Sequence, residues 1–203
     1  MAKLILVRHG ESEWNKNELW TGWADIGLSE KGREQARQVG EKLKGMKIDF
    51  AYTSVLLRAK QTLDGIKGAL GINMPTFEDK ALNEKNYGIY TGKNKWEVRK
   101  EVGEDLFLKI RRSWDYQIPE GESLKKVYER VVPYYDKEIL PKIKAGSNII
   151  IIASDNSLRA LIKYLENIND SDIQKLELKV GEVDIFEIDN NGKVISKKNP
   201  LEM

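Results

Sequence analysis

The chain has 203 residues, a length that suits one large domain and allows about 70% of the unfolded surface to be buried. It contains no cysteine and one histidine, which excludes disulfide bonds and thiolate metal sites and argues against a zinc site. Charged residues make up 33% of the sequence but leave a net charge of only +2, which gives no electrostatic case for binding nucleic acid or an anionic membrane.

The first predicted element is a strand over residues 3–7 that stops abruptly at Arg8-His9-Gly10. A continuous apolar run with such a break is typical of a strand covered on both faces in an α/β sheet. The run is too short for a signal peptide or a membrane span. We therefore expect a cytoplasmic protein.

Helical and strand patterns then alternate. Ser29 is predicted to open a helix with one apolar face. Residues 49–53 form a second predicted strand, and Ser54 is placed to cap the helix that follows it. The apolar face of the first helix consists of Ala36, Val39, Gly40 and Leu43.

Residues 83–118 lack a clean period, because charged residues, glycines and tryptophans are intermixed there. A stretch of this length without obvious strands usually packs over the end of a sheet, so we expect a cap or lid over the carboxyl ends of the strands.

We interpret the tryptophans of the chain as packing residues. They are Trp14, Trp20, Trp23, Trp96 and Trp114.

Regular patterns return after this segment. A long helical pattern runs from Ser123 to about residue 143 and contains Pro133, which is expected to kink it. Residues 148–153 form the strongest predicted strand, with four consecutive isoleucines. Residues 184–196 read as a hairpin. The helix between the last two features has an apolar face made of Leu158, Leu161, Ile162 and Leu165.

The alternation of strands and helices predicts an α/β fold. We expect a three-layer sandwich with a mostly parallel central sheet, flanked by helices, with one antiparallel edge supplied by the hairpin. No linker or repeat divides the sequence. The prediction is one domain over residues 1–203, with the lid at roughly 83–118.

Two predicted strands end in polar residues, and ligands of open α/β sheets bind beyond such ends. At the first end, His9 can attack phosphorus as a nucleophile, Arg8 offers a planar cation that suits phosphate oxygens, and Gly10 lets the backbone approach an anion. A lone histidine is more often an ordinary one. The context Arg-His-Gly-Glu-Ser-Glu-Trp-Asn directly after a strand is far more specific.

The sequence resembles the cofactor-dependent phosphoglycerate mutases of the histidine phosphatase superfamily over nearly its whole length. The Arg-His-Gly signature alone would indicate the superfamily, whereas the matches around Tyr87, Lys95 and Arg111-Arg112 favour mutases over phosphatases. The matching segments are residues 6–12, 21–23, 28–32, 52–56, 58–59, 62–63, 82–84, 87–88, 92–95, 111–115 and 156–161.

This resemblance implies a ping-pong reaction in which phosphorylated His9 exchanges a phosphoryl group with monophosphoglycerates. The implied cofactor is 2,3-bisphosphoglycerate, which primes His9, and no metal is implied. Arg8 and Arg58 would stabilise the transferring group, and Glu84 would serve as general acid and base. The implied substrate-binding residues are Asn15, Thr21, Gly22, Tyr87, Lys95, Arg111, Arg112 and Asn156.

One departure from the family pattern affects the site. Where the family has His-Gly at the second strand end, this chain has Ser154-Asp155. Serine can donate a hydrogen bond but is shorter and uncharged, and removing one such donor typically costs about 10²–10³ in rate. Asp155 either repels phosphate at the helix N-terminus or simply caps the helix. We therefore expect weakened catalysis.

Other functions stay open at this point. A small phosphatase of the same superfamily would hydrolyse simple phosphate esters, and a non-catalytic protein would bind phosphorylated ligands or a protein partner. Ser154 and Asp155 are the support for the latter. A nucleotide-binding role is disfavoured, because neither a Walker-type loop nor a Gly-x-Gly-x-x-Gly turn is present. Members of the family commonly form dimers, which is compatible with a homodimer here but leaves the oligomeric state open.

Overall fold

The structure is a computed structural model that describes residues 1–199, so residues 200–203 of the predicted domain lie outside the described part. The strand predicted at 3–7 is observed as a buried central strand of a six-stranded sheet. The strands are β1 (Ala2–Arg8), β2 (Phe50–Thr53), β3 (Thr76–Glu78), β4 (Ile149–Ala153), β5 (Val183–Ile188) and β6 (Val194–Lys198).

The strand order across the sheet is β3-β2-β4-β1-β5-β6. The first four of these are parallel to one another, and β5 and β6 form the antiparallel hairpin at one side. The prediction of a mostly parallel sheet with an antiparallel edge is therefore confirmed. The α-helices are α1 (Glu13–Lys16), α2 (Glu30–Lys42), α3 (Leu57–Leu70), α4 (Lys95–Val102), α5 (Glu104–Arg112), α6 (Leu124–Tyr134), α7 (Leu140–Lys144) and α8 (Asp155–Glu166).

Helices cover both faces of the sheet, because successive side chains of a strand point to opposite faces. Leu4 and Leu6 pack in one apolar cluster with residues of α6 and α8. Ile5 and Val7 pack in a second cluster with residues of α2 and α3. This arrangement confirms the three-layer sandwich.

The start of α3 corrects one prediction. Ser54 does not cap this helix: its hydroxyl is buried and has no hydrogen-bond partner among the described residues, and Leu56 is the N-cap residue. The helix instead receives its cap from Asp25, whose Oδ1 accepts from the Leu57 amide at 2.6 Å. A carboxylate distant in sequence thus satisfies a free amide of the first turn.

The long helical pattern that contains Pro133 changes helix type along its length. The α-helix α6 contains the proline near its end, a π-helical turn follows at Tyr135–Ile139, and α7 then continues the path. Proline has no amide hydrogen to donate to the preceding turn, and prolines flank the π turn on both sides, at Pro133 and Pro141. The Glu138 carbonyl in this turn accepts from Tyr52 Oη at 3.1 Å and Lys142 Nζ at 2.9 Å.

Residues 83–118, which showed no clean period, contain a 3₁₀ turn at Gly88–Tyr90 followed by α4 and α5. Residues 83–118 have an apolar cluster of their own, in which Trp20 joins residues of the two helices. The buried members of this cluster are Trp20, Tyr87, Tyr90, Val98, Phe107, Ile110 and Ile118.

No described helix in residues 1–199 is long and apolar enough to cross a membrane.

Candidate active site

The two strand ends that the sequence singled out are neighbours. Arg8 of β1 is paired in register with Ala153 of β4, and the His9 amide donates to the Ala153 carbonyl at 3.0 Å. Because both strands run in the same direction, the residues that follow them emerge at one edge of the sheet. His9 and Ser154 therefore leave the sheet side by side.

The imidazole of His9 is buried and has its two nitrogens in different environments. Nδ1 lies 2.7 Å from the Gly10 carbonyl oxygen, to which it can only donate. Nε2 accepts from Arg58 Nε at 3.2 Å, so it carries the free electron pair. Burial, followed by the positive charges of Arg58 and Arg8, holds the pKa of His9 well below its usual value. The ring is consequently neutral at physiological pH, and Nε2 is nucleophilic.

Arg58 is a buried residue of α3 that is fixed on both sides of its guanidinium group. Nη2 donates to the Gly22 carbonyl at 2.8 Å and Nη1 to the Ala24 carbonyl at 3.0 Å. Burial lowers its pKa to about 10, opposed by the charges of Glu84 and Asp25. The group stays charged at neutral pH and cannot move away from His9 without breaking both backbone contacts.

Gly10 has a packing role in the structure, and its approach to a bound anion stays a prediction. Its amide donates to Thr62 Oγ1 at 3.0 Å, so the amide is not free for a phosphate. A Cβ at this position would lie 2.3 Å from the Gly32 carbonyl oxygen. Glycine is required because the backbone after β1 presses on the start of α2.

Glu84 faces the same cavity as His9 and is 8% exposed. Its Oε1 accepts from Asn156 Nδ2 at 2.9 Å, from the Asn156 amide at 3.3 Å and from the Lys85 amide at 2.7 Å. The Glu84 carbonyl accepts from Trp23 Nε1 at 2.6 Å and from Arg130 Nη2 at 2.9 Å. Both its side chain and its backbone are thus held in place.

Arg130 of α6 organises the loop that carries Glu84. Besides the Glu84 carbonyl it donates to the Ala81 carbonyl at 2.6 Å, and it forms an ion pair with Glu122 at 2.9 Å. Glu122 in turn accepts from the Asn86 amide at 2.8 Å. The loop is therefore tied at three backbone positions to one guanidinium–carboxylate pair.

Two further titratable groups, Lys85 and Tyr87, are buried close to Glu84. Lys85 Nζ donates to the Ile110 carbonyl at 2.8 Å and lies 4.9 Å from the centre of the Tyr87 ring. Burial, followed by the charge of Arg159, lowers the pKa of Lys85 to about 7. Burial and the charge of Glu84 raise the pKa of Tyr87, whose hydroxyl accepts from Asn156 Nδ2 at 3.0 Å. Tyr87 is therefore a neutral phenol.

One cavity of about 570 Å³, counting its open mouth, brings the predicted residues together, a size typical of small-ligand sites. Every predicted catalytic and substrate-binding residue lines it, together with Asp155. Ser154 does not: it is fully buried, and its hydroxyl has no partner among the described residues. The lining residues are Arg8, His9, Asn15, Leu19, Trp20, Thr21, Gly22, Arg58, Glu84, Tyr87, Lys95, Arg111, Arg112, Asp155, Asn156 and Glu177.

Asp155 is the first residue of α8, and its neighbour Ser154 is the N-cap residue. The suggestion that Asp155 merely caps the helix is therefore wrong. Its Oδ1 accepts from the Leu178 amide at 3.1 Å and lies 4.0 Å from Arg8 Nη1. The carboxylate thus adds negative charge beside a cation that faces the cavity.

The polar groups of the cavity fit an anionic ligand such as a phosphate ester. Arg8 Nε and Thr21 Oγ1 are buried donors without partners in the described part of the chain. Asn15 uses its amide oxygen to accept from Ser12, which leaves its nitrogen as a donor. Among residues 1–199, no group of carboxylates and histidine is placed to hold a metal ion. The cationic lining residues are Arg8, Arg58, Lys95, Arg111 and Arg112.

Three lining residues were not predicted as site residues. Trp20 was interpreted as packing, and it does pack in the apolar cluster of α4 and α5 while also lining the cavity. Leu19 precedes it. Glu177 belongs to a loop without any motif or period, and it reaches the cavity only because the folded chain returns there after α8. The sequence contains no signal that could have identified it.

Comparison with known families agrees with this geometry. The family model described as histidine phosphatase superfamily (branch 1) matches residues 4–200. A 2,3-bisphosphoglycerate-dependent phosphoglycerate mutase of Bradyrhizobium diazoefficiens is 49% identical over 96% of this chain and 95% of its own. Another of that name from Parvibaculum lavamentivorans is 44% identical over 98% and 96%.

Solved structures share the fold at lower identity. A mycobacterial glucosyl-3-phosphoglycerate phosphatase superposes with a TM-score of 0.84 at 21% identity, covering 98% of this chain and 97% of the other. At that identity the likeness concerns the sheet and its flanking helices. It carries no information about the ligand of this chain.

Proposed function

Because the chain belongs to the histidine phosphatase superfamily, we propose that it interconverts 3-phosphoglycerate and 2-phosphoglycerate through His9 as a glycolytic mutase. The observation that carries the proposal is one cavity that combines His9, Glu84 and the cations Lys95, Arg111 and Arg112. The mutase names of relatives at 44% and 49% identity support it.

The proposed location is the cytoplasm, where glycolysis runs. The proposed assembly is a homodimer, which light scattering would test.

The chain's own residues account for the phosphoryl transfer. His9 Nε2 attacks phosphorus. A bond between Nε2 and phosphorus forms while the bond between phosphorus and the leaving oxygen breaks. Arg8 and Arg58 counter the charge that spreads over the equatorial oxygens. Glu84 supplies a proton to the leaving oxygen and takes one from the attacking hydroxyl in the reverse step. When bound, 2,3-bisphosphoglycerate supplies the phosphoryl group that charges His9.

The remaining lining residues hold the substrate in this proposal. Lys95, Arg111 and Arg112 take its carboxylate and its non-reacting phosphate, since each offers a charged donor. The segment 83–118, which carries all three of these cations, serves as the lid. Asn15, Thr21, Gly22, Tyr87 and Asn156 supply neutral contacts.

We further propose that turnover is weakened at the second strand end. The Ser154 hydroxyl is buried outside the cavity lining, so it does not replace a histidine donor, and Asp155 adds a carboxylate 4.0 Å from Arg8. Loss of one donor to the transition state typically costs about 10²–10³ in rate.

The decisive experiment measures conversion of 3-phosphoglycerate to 2-phosphoglycerate with trace 2,3-bisphosphoglycerate. We expect slow turnover that is abolished in His9→Ala and raised about 100-fold in the double variant Ser154→His/Asp155→Gly. Fast turnover by the unaltered chain would contradict the weakening. No turnover by either the chain or the double variant would contradict the mutase proposal.

A second candidate is a protein that binds phosphorylated ligands without turnover, which the carboxylate of Asp155 beside Arg8 favours. It predicts that His9 gains no phosphoryl group from 2,3-bisphosphoglycerate, as read by intact-protein mass. A phosphatase would instead release inorganic phosphate from simple esters such as p-nitrophenyl phosphate.

A further inference from the structure

Glu177 lines the cavity, although the reaction proposed above gives it no role. Its Oε1 contacts Arg112 Nη2 and lies 3.6 Å from Arg111 Nη2. The side chain is 51% exposed, which places it at the mouth. One carboxylate of the chain thus occupies the anion position that two guanidinium groups create.

The backbone on both sides of Glu177 is tied to the wall of the cavity. The Leu178 amide donates to Asp155 Oδ1 at 3.1 Å, and Arg8 Nη1 donates to the Leu178 carbonyl. Arg112 Nη1 donates to the Leu176 carbonyl at 3.5 Å. The backbone holds Glu177 near the arginines, and its side chain is free to turn towards solvent through its own torsions.

We propose that Glu177 determines ligand specificity by competing with anionic groups for Arg111 and Arg112. A ligand that carries a carboxylate or a second phosphate at this end has to displace Glu177, whereas a ligand with a neutral group there does not. The inference rests on the proposed function, because it assigns Lys95, Arg111 and Arg112 to the anionic groups of a phosphoglycerate.

Charge balance explains the direction of the effect. Five cationic side chains line the cavity, but Glu84, Asp155 and Glu177 oppose them with three carboxylates. Two carboxylates that share one guanidinium pair repel each other, and the repulsion grows as water is excluded. Glu177 therefore lowers the affinity for the more negatively charged of two similar ligands.

The test compares two ligands that differ at one group. 3-Phosphoglycerate and glycerol 3-phosphate have the same phosphate ester, and a hydroxymethyl group replaces the carboxylate in the second. Binding of each is measured by calorimetry at low salt to the unaltered protein and to Glu177→Gln. We expect Glu177→Gln to bind 3-phosphoglycerate about five-fold more tightly, the size of a half-exposed ion pair, and glycerol 3-phosphate within about two-fold of the unaltered protein.

Asp172→Asn is the matched control. It removes one negative charge from the same loop, but Asp172 pairs with Lys175 at 2.7 Å and does not line the cavity. We expect it to leave both affinities unchanged. The gain in Glu177→Gln should also shrink at higher ionic strength, because salt screens exposed ion pairs.

Three results would overturn the inference. Weaker binding of 3-phosphoglycerate to Glu177→Gln would mean that Glu177 orients the arginines for the ligand. Equal and measurable binding to both proteins would mean that it does not compete, and would leave the proposed function intact. Absence of binding to both would contradict the proposed substrate class and, with it, the competition.

Discussion

At the scale of single residues, two hydrogen bonds of opposite sense fix the state of the His9 ring. The Gly10 carbonyl requires a proton on Nδ1, and the Arg58 donor requires an electron pair on Nε2. A doubly protonated ring would place its Nε2 proton against the Arg58 donor. The reactive nitrogen is therefore prepared by its neighbours before any ligand arrives.

The first prediction concerns the acid limb of the pH profile. An ordinary histidine becomes protonated below about pH 6.5, but the pKa of His9 is held well below its usual value. We expect charging of His9 by 2,3-bisphosphoglycerate to continue undiminished well below pH 6.5, as measured by intact-protein mass over a pH series. An acid limb centred at the ordinary value would contradict this environment.

Arg58→Lys provides the comparison. Lysine keeps the charge, but its three N–H donors share one nitrogen atom and cannot reproduce the planar fork that contacts His9 and the Gly22 and Ala24 carbonyls together. We expect slower charging of His9 in this variant, because the cation is no longer fixed beside Nε2.

At the scale of elements, the loop after β1 and the start of α2 are in direct backbone contact. A Cβ at Gly32 would lie 2.0 Å from the Glu11 carbonyl oxygen, whereas a Cβ at Gly68, in α3, would meet nothing within 4 Å. The two glycines have the same chemistry and differ in their surroundings. The close contact between the start of α2 and the loop after β1 fixes the position of that loop, which begins with His9.

The second prediction follows from this contrast. Gly32→Ala should lower the free energy of unfolding by about 1–3 kcal/mol, because the backbone has to shift. Gly68→Ala should raise it by about 0.5–1 kcal/mol, because alanine loses less conformational freedom in a helix. Urea denaturation of both variants tests the pair. A neutral effect of Gly32→Ala would mean that the contact relaxes without cost.

Features that depend on residues close together in the sequence could be predicted from it, whereas features that depend on contacts between distant residues could not. The strand before Arg8 and the helix after Ser29 were foreseen, since apolar period and local capping decide them, and Ser29 Oγ does accept from the Gly32 amide at 3.1 Å. The cap of α3 was not foreseen, because Asp25 is remote in sequence. His9 and Glu84 belong to local sequence motifs, so motif matching could identify them as site residues. Glu177 belongs to no motif, and only the folding of the chain brings it to the cavity.

At the scale of the whole molecule, Lys85 links folding to pH. The folded state lowers its pKa to about 7, and the unfolded chain restores the ordinary value near 10.4. Between these two values the unfolded state binds more protons than the folded state. The free energy of unfolding therefore rises with pH across this window.

The third prediction compares the unaltered protein with Lys85→Met. From pH 7 to pH 9 we expect the free energy of unfolding of the unaltered protein to rise by about 2 kcal/mol more than that of the variant. Urea denaturation at both pH values measures the difference. Lys137→Met, at a side chain that is 83% exposed, should retain the full rise. Parallel profiles for the unaltered protein and Lys85→Met would contradict the linkage.

The environment of His9 also has a spectroscopic consequence. Since the chain contains one histidine, nitrogen-15 labelling of histidine alone gives two ring resonances that belong to one site. A pyrrole-type shift at Nδ1 and a pyridine-type shift at Nε2 would report the tautomer that the Gly10 and Arg58 contacts impose. Coupling of one of these nitrogens to phosphorus-31 would identify the atom that receives the phosphoryl group. The molecule thus carries a reporter at its reacting atom, and no assignment of signals to different histidines is required.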